Sequence, residues 1–215
     1  MRTRTTCPQL PPALDPQSPL PTRHGALLRG DAERLLGVEH VAEALREGEW
    51  VQPWRGVLIP APLAEEPLAR AAAATLRADQ RSVLSGATAV AFHGCAPIPD
   101  EVHLTVPYGC ELRTQAGLVV RQSWIREADV DVLDGLRVHA LDIALAELLC
   151  TGPERRALDC LERALAGLGD RAERFRALVG QRLARRVDRR GTRRALGLLE
   201  LAWVDPALAA TAGDA

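Results

Sequence analysis

The chain has 215 residues, of which 47% are hydrophobic and 26% charged, enough to bury the core of one large domain or two small ones. Its formal net charge of −1 hides an uneven distribution: residues 61–150 carry seven arginines and 12 acidic residues, whereas residues 151–215 carry 13 arginines and nine acidic residues. Because all 27 basic residues are arginine, the sequence excludes any catalysis that needs a lysine amine.

The two ends of the chain are predicted to lie outside the folded domains. Residues 1–21 contain several prolines and no apolar run of signal-peptide length, which indicates a disordered lead-in. Residues 205–215 are expected to form a frayed tail. No stretch approaches the roughly 18 to 20 consecutive apolar residues that span a bilayer, so we expect a cytoplasmic protein without a membrane partner. The five cysteines, irregularly spaced and without a Cys-x-x-Cys pair, predict reduced thiols rather than a disulfide framework.

The first predicted elements are two short helices joined by a glycine. The stretch "RGDAERLL", residues 29–36, predicts a helix that Gly37 ends. In the next stretch, apolar residues recur at helical spacing from Val38 to Leu45, which predicts an amphipathic helix with Gly48 as its C-terminal stop.

A hairpin is predicted directly after the helix pair. The stretch "EWVQPWRGVLI", residues 49–59, places strand-forming residues on either side of a tip marked by a proline and a glycine. This order of elements predicts a winged helix-turn-helix over residues 22–62. We expect Trp50 to pack in its core, and Trp54 and Arg55 to stand on the wing.

Residues 63–204 predict a mixed α/β domain whose C-terminal part is helical. The predicted order is the helix "LARAAAATLRA", the strand, turn and short helix of "VLSGATAVAFHGC", the strands in "EVHLTV", "GLVVRQSW" and "GLRVHAL", and the helix "LDIALAELLC". From Pro153 onward the apolar pattern is wholly helical. The predicted fold class is therefore α+β.

Three motifs occur in an order that is typical of a known family. The hairpin "GEWVQPWRGVLI", the run "SVLSGATAVAFHG" followed by "DEVHLTVP", and the later "GLRVHALDIALAELL" resemble the AbiEi-type antitoxins of actinobacteria, over about residues 25–200. The resemblance implies a winged helix followed by an α/β domain. It also implies a cytoplasmic, DNA-binding autorepressor that antagonises a nucleotidyltransferase toxin in a type IV toxin–antitoxin pair. Many related chains continue into a restriction-type nuclease domain, and this sequence closes about where that domain would begin.

The second predicted helix carries an acidic outer side where a recognition helix would be basic. It presents Glu39, Glu43 and Glu47 beside His40 and Arg46. A carboxylate near phosphates is repelled unless it accepts a hydrogen bond from a cytosine amino group, and three cannot all do so. The DNA contacts predicted in this domain are Arg29, His40, Arg46, Trp54 and Arg55.

The densest positive charge lies in "QRLARRVDRRGTRR", residues 181–194, which contain one acid, Asp188. As a continuous helix this stretch would align four arginines as a surface ridge, while Phe175, Leu178, Val179, Leu183 and Val187 pack inward. Such a ridge attracts DNA or an acidic partner, unless its arginines pair with the acidic middle segment. We expect DNA affinity to come mainly from this ridge. The DNA contacts predicted here are Arg182, Arg185, Arg186, Arg189, Arg190, Arg193 and Arg194.

Other chemistries find little support in the sequence. Four ligand types for zinc lie in one short region: His93, Cys95, His103 and Cys110. Their spacing matches no zinc finger, so no metal is expected. Ser85 lacks the preceding glycine of a nucleophile elbow. Asp131 and Asp134 are predicted to lie in a solvated loop.

The sequence therefore predicts a DNA-binding transcriptional regulator with no enzymatic activity, cofactor or small-molecule substrate. Its predicted partners are the double-stranded DNA of its own promoter region and a functionally coupled nucleotidyltransferase toxin. Two alternatives remain open. One is a non-catalytic remnant, or N-terminal part, of a restriction-type endonuclease-like protein, although the Glu-x-Lys metal site of such nucleases cannot be assembled without lysine. The other is a protein-interaction module that has lost its DNA face.

Overall fold

The computed structural model describes residues 24–78 and 80–202, so the predicted lead-in and tail lie outside the described residues. The fold is α+β, as predicted. The chain divides into two compact units, of which the first runs to Arg77 and the second begins at Ala78. The helix over Pro67–Ala78, which the sequence predicts as the first helix of the second domain, ends at this division.

The first unit contains a three-stranded antiparallel sheet. Its elements are β1 (Leu27–Leu28), α1 (Arg29–Leu36), α2 (Val38–Glu47), β2 (Trp50–Val51), β3 (Val57–Pro60), a 3-10 helix (Ala61–Leu63) and α3 (Pro67–Ala78). The strand order is β1-β3-β2, with Leu27 opposite Leu58 and Trp50 opposite Pro60. Strand β3 is therefore the central strand and pairs with both β1 and β2.

The packing of the first unit follows the apolar spacing of the sequence. Gly37, with φ of +91°, lets the chain turn sharply between α1 and α2, and Gly48 ends α2 in the left-handed conformation. The buried core cluster consists of Leu27, Ala32, Val41 and Leu58, with Leu45 and Trp50 packed against it. The predicted helix pair and the core position of Trp50 are confirmed.

The second unit contains a five-stranded mixed sheet. Its elements up to the sheet's end are β4 (Val83–Leu84), α4 (Gly86–Phe92), β5 (Val102–Val106), β6 (Leu118–Gln122), a 3-10 helix (Glu127–Asp129), β7 (Val130–Leu133) and β8 (Leu136–His139). The strand order is β6-β5-β4-β8-β7; β5 with β6 and β4 with β8 are parallel, and the other two pairs are antiparallel.

One predicted loop of this unit is a strand. Asp131 was expected in a solvated loop, but it lies in β7 opposite Val138. The prediction was wrong because acidic residues are rare in strands in general, whereas β7 is an edge strand on which Asp131 stays exposed. Asp134 does lie in the turn that joins β7 to β8, with φ of +49°.

Four helices complete the second unit. They are α5 (Leu141–Thr151), α6 (Glu154–Leu168), α7 (Ala172–Arg185) and α8 (Thr192–Leu201), with a 3-10 helix (Gly169–Arg171) before α7. Helix α5 packs against α4, α6, α7 and α8 and buries residues on every side, including Leu145 and Leu149. It is the central helix of the unit, as its nearly unbroken apolar sequence requires. Across residues 24–78 and 80–202, no helix is both long and apolar enough to cross a membrane.

Candidate nucleic-acid interface

The outer face of α2 carries the acidic residues that the sequence placed there. Val41 and Ala44 are buried on the inner side, while Glu39, Glu43 and Glu47 are exposed. None of these three carboxylates has an ion-pair partner among the described residues. Arg46 is exposed on the same helix and His40 is half-buried. This face therefore has more negative than positive charge.

Arg29 connects α1 to the hairpin. Its Nε atom donates to Glu33 Oε1 at 2.6 Å, and one terminal nitrogen donates to Gln52 Oε1 at 3.2 Å. Its backbone N–H donates to the carbonyl of Gly56 at 2.9 Å. Because the bonds to Glu33 and Gln52 already engage the guanidinium group, a phosphate contact by Arg29 would have to compete with them.

The hairpin buries one of the two residues that were expected on the wing. Trp54 is only 5% exposed, so the prediction that it stands on the wing as a DNA contact was wrong. Turn residues are usually exposed, and only the packing of the unit reverses this for Trp54. Arg55, the next residue, is exposed. The tip of the hairpin therefore exposes a cation but no aromatic ring.

The predicted arginine ridge is not one helix. Helix α7 ends at Arg185, Arg186 has extended backbone, and α8 begins only at Thr192. Val187, which was expected to pack inward, is 99% exposed, and Leu178 is 39% exposed. The continuous helix is therefore a wrong prediction, and a connecting loop takes its place. Of the predicted apolar stripe, Val179 and Leu183 are buried as expected.

Two of the seven arginines hold the helices together. Arg182 donates from Nε to Asp142 Oδ2 at 2.6 Å and from a terminal nitrogen to Asp129 Oδ1 at 2.9 Å. Burial alone would lower the pKa of Arg182. The hydrogen bonds and the negative charges of Asp142 and Asp129 outweigh this effect, so the pKa of Arg182 is raised. Arg194 donates to the carbonyls of Leu149 and Gly152, at 3.1 and 2.9 Å. Both side chains thus fasten α7 and α8 to neighbouring parts of the second unit.

The other five arginines surround the connection between α7 and α8, which we call the arginine loop. Its basic residues are Arg185, Arg186, Arg189, Arg190 and Arg193, all exposed except Arg186, which is half-buried. The one acid of the loop, Asp188, accepts the backbone N–H of Arg190 at 3.0 Å. Its carboxylate is therefore used partly within the loop, and the loop as a whole is strongly positive.

The arginine loop is anchored at its end. Gly191 has φ of +72°, and a Cβ atom there would lie 2.1 Å from the carbonyl oxygen of Cys150. Only glycine permits this approach. Arg189 also donates to the carbonyl of Ala184 at 2.9 Å, and Arg186 to that of Asp188 at 3.3 Å. Hydrogen bonds within the loop and the close approach at Gly191 thus support its conformation.

A buried polar cluster in the same unit was not foreseen. Glu147 accepts hydrogen bonds from the backbone N–H of Gly86 at 3.2 Å and from Arg121 at 2.6 Å. His103 lies beside Gly86, and burial lowers the pKa of this histidine. An acid within the apolar run "LDIALAELLC" was the available signal. Since both oxygens of Glu147 already accept hydrogen bonds, the cluster joins α4, α5 and β6 rather than supplying a free base.

The residues considered for other chemistries are spread apart or buried. In the described part of the chain, no three His, Cys, Asp or Glu side chains come together as a metal site. Ser85 is 1% exposed, which makes it inaccessible to a substrate. His93 contacts the carbonyl oxygen of His139 at 2.9 Å and lies 3.9 Å from Asp131.

Comparison with known proteins informs the fold. No family model matches the chain, and no curated protein matches it. Among solved structures it is similar to the RV2827C protein from Mycobacterium tuberculosis, with a TM-score of 0.54 and 19% sequence identity over 87% of this chain and 75% of that one. At this identity the similarity concerns the fold alone. The resemblance to AbiEi-type antitoxins stays a prediction.

Proposed function

We propose that the protein is a double-stranded-DNA-binding transcriptional regulator whose affinity for DNA comes mainly from the arginine loop. The observation that carries this proposal is the set of exposed guanidinium groups of Arg185, Arg189, Arg190 and Arg193 around one anchored loop. Phosphate contacts of this kind dominate affinity for DNA, and arginine is well suited to them because its planar group bonds two oxygens at once.

The first unit supports the proposal through the order of its elements. Two helices joined at Gly37 and followed by a hairpin, in a sheet of order β1-β3-β2, support the winged helix proposed from the sequence. In this proposal α2 would enter the major groove. Its three free carboxylates would limit its contribution to affinity, and its role would be shape and limited readout.

A charge-matched pair of variants tests the source of affinity. Variant one replaces Arg189, Arg190 and Arg193 by Ala in the arginine loop. Variant two replaces three other exposed arginines of the second unit: Arg155, Arg171 and Arg174. With a duplex from the gene's own upstream region, the loop variant should bind at least about 30-fold more weakly at low salt, and the control variant within about threefold of wild type. Equal losses from both would contradict a role for the arginine loop.

The acidic face of α2 gives a separate test of readout. Glu39→Gln and Glu43→Gln remove charge at constant volume. If these carboxylates face phosphates, both variants should bind all duplexes more tightly. If either one accepts from cytosine, its variant should bind one preferred sequence more weakly. Unchanged binding to every duplex would contradict the docking of α2 in the groove.

The proposal includes autorepression and antagonism of a nucleotidyltransferase toxin, which rest on the resemblance described above. Cells that express the product of an adjacent nucleotidyltransferase gene should grow again when this protein is co-expressed. A reporter gene under the protein's own promoter should be repressed by the protein. The proposal also excludes catalysis, so the purified protein should leave DNA intact in Mg²⁺ or Mn²⁺. Divalent-dependent cleavage that survives purification would instead favour a nuclease-derived protein.

A protein-interaction module is the second candidate function. The free carboxylates of Glu39, Glu43 and Glu47 favour it, because an exposed acidic helix fits a basic protein surface better than a phosphate backbone. Under this candidate, the loop variant and wild type would bind duplex equally weakly, whereas the Glu→Gln variants would lose a protein partner.

A further inference from the structure

Two exposed aromatic rings stand together on the second unit. Tyr108 follows β5 and Trp124 follows β6, and because these strands are parallel, both residues lie beyond the same edge of the sheet. Their ring centroids are 5.7 Å apart in an edge-to-face arrangement, with 63° between the planes. Tyr108 is 58% exposed and Trp124 is 84% exposed. Such exposure is notable in a chain in which only 3% of the residues are aromatic.

The loop that carries Tyr108 is fastened to the neighbouring strand. The Thr114 hydroxyl accepts the N–H of Val120 at 2.9 Å and lies 3.2 Å from its carbonyl oxygen. The Gln122 side chain donates to the carbonyl of Cys110 at 2.6 Å, and Leu112, within the loop, is buried. The aromatic pair is therefore held in place by its backbone, although the rings themselves are not buried. Such a preorganised surface loses little entropy when it binds.

The chain segments that carry the pair are polar, and their exposed charges are Arg113, Arg126 and one acid, Glu111. In residues 107–117 and 123–126, the structure describes no other exposed large apolar side chain. Arg113 and Arg126 are exposed and form no ion pair with any described residue. A tryptophan at the centre of a protein interface needs neighbours that exclude water. Exposed aromatic rings with arginines a few residues away in the chain instead match the way proteins hold unpaired bases.

We propose that Tyr108 and Trp124 form a stacking platform for the unpaired bases of single-stranded nucleic acid. A base stacks on the open face of the Trp124 indole, while the edge-to-face contact with Tyr108 holds the indole upright. Arg113 and Arg126 contact the phosphates on either side. The platform shares no residue with the arginine loop, and its proposal does not rest on the proposed binding of duplex DNA.

Two oligomers with the same phosphates test the platform in the full-length protein. One is a labelled thymidine dodecamer and the other is an abasic dodecamer that lacks all bases. Trp124→Ala should weaken binding to the thymidine oligomer about tenfold, because stacking on one aromatic ring is lost. Trp124→Phe should keep binding within about threefold, since a smaller ring still stacks. Neither variant should change binding to the abasic oligomer or the salt slope, because no charge is removed.

Controls separate this result from misfolding and from duplex binding. Val132→Ala removes another exposed apolar side chain of the same unit, 67% exposed, and should change neither oligomer's binding. Trp124→Ala should keep the wild-type melting temperature and wild-type affinity for duplex, so failure of this proposal is distinguishable from failure of the arginine loop. Equal affinity of wild type for the two oligomers, or equal loss on both in Trp124→Ala, would overturn the platform and favour a protein contact instead.

Discussion

Removing Arg182 should destabilise the second unit rather than weaken DNA binding directly. Arg182 bridges two carboxylates, and its side chain is 29% exposed, against 6% for Asp142 and 19% for Asp129. In Arg182→Ala, the Asp142 carboxylate would stay buried without its cation, 2.6 Å from where the guanidinium nitrogen had been. An unpaired buried charge of this kind is the most expensive consequence of the substitution.

The size of the effect follows from the burial. Breaking a buried ion pair from one side costs about 3–5 kcal/mol, and the position of Asp142 in the first turn of α5 offsets part of this through the helix dipole. We expect a loss of about 3 kcal/mol. For a unit of about 120 residues, this corresponds to a fall in melting temperature of about 10 °C.

Thermal unfolding of the full chain, followed by circular dichroism, measures this change. Arg189→Ala is the matched control, because it removes an exposed arginine of the same unit, and it should shift the melting temperature by less than about 2 °C. Replacing the pair by Arg182→Met with Asp142→Leu should recover at least half of the loss, since the more deeply buried carboxylate is then gone and only Asp129 is left without its cation. If Arg182→Ala melted like wild type but bound DNA weakly, the structural role assigned to Arg182 would be refuted.

Two further predictions concern the second unit. Gly191→Ala should lower the free energy of unfolding by at least about 2 kcal/mol in urea titrations, because of its positive φ and the clash with Cys150. Gly197→Ala, at a helical position with open space, should raise it by up to about 1 kcal/mol. Equal effects of the two variants would contradict the close approach of Gly191 to Cys150. Burial lowers the pKa of His139 below 6.5, although the nearby Glu147, Asp129 and Asp142 raise it. Because the unfolded chain then binds the proton more readily than the folded one, the free energy of unfolding should fall as the pH drops below about 6.5. His139→Gln should lose less stability than wild type between pH 7.5 and 5.5, and an equal loss would show that His139 is not the group responsible.

The sequence was most informative where local pattern and packing agree. Helices α1 and α2 begin and end as expected because glycines flank an apolar stripe, and β5 and α5 follow from alternation and from a continuous apolar run. Trp54 shows the limit of this reasoning, because a residue in a turn is buried only by tertiary contacts that no local pattern encodes.

The arginine loop shows a second limit. Helical spacing of the arginines suggested a ridge, but charge periodicity does not hold a helix together. The sequence "VDRRG" also contained the opposing signal, since Asp188 accepts the N–H two residues on and Gly191 adopts positive φ. The roles of Arg182 and Arg194 depend on Asp142 and on carbonyls of α5 and its end, which lie about 40 residues away in sequence.

The salt dependence of duplex binding tests the arginine loop most directly. Each phosphate neutralised on duplex DNA contributes a slope of about −0.9 to log K against log salt, so the four exposed arginines of the loop should give a slope near −3.6. Replacing Arg189, Arg190 and Arg193 by Ala should flatten it to about −1, while replacing Arg155, Arg171 and Arg174 should leave it within about one unit of wild type. A loop variant whose slope and affinity equal those of wild type would contradict the account.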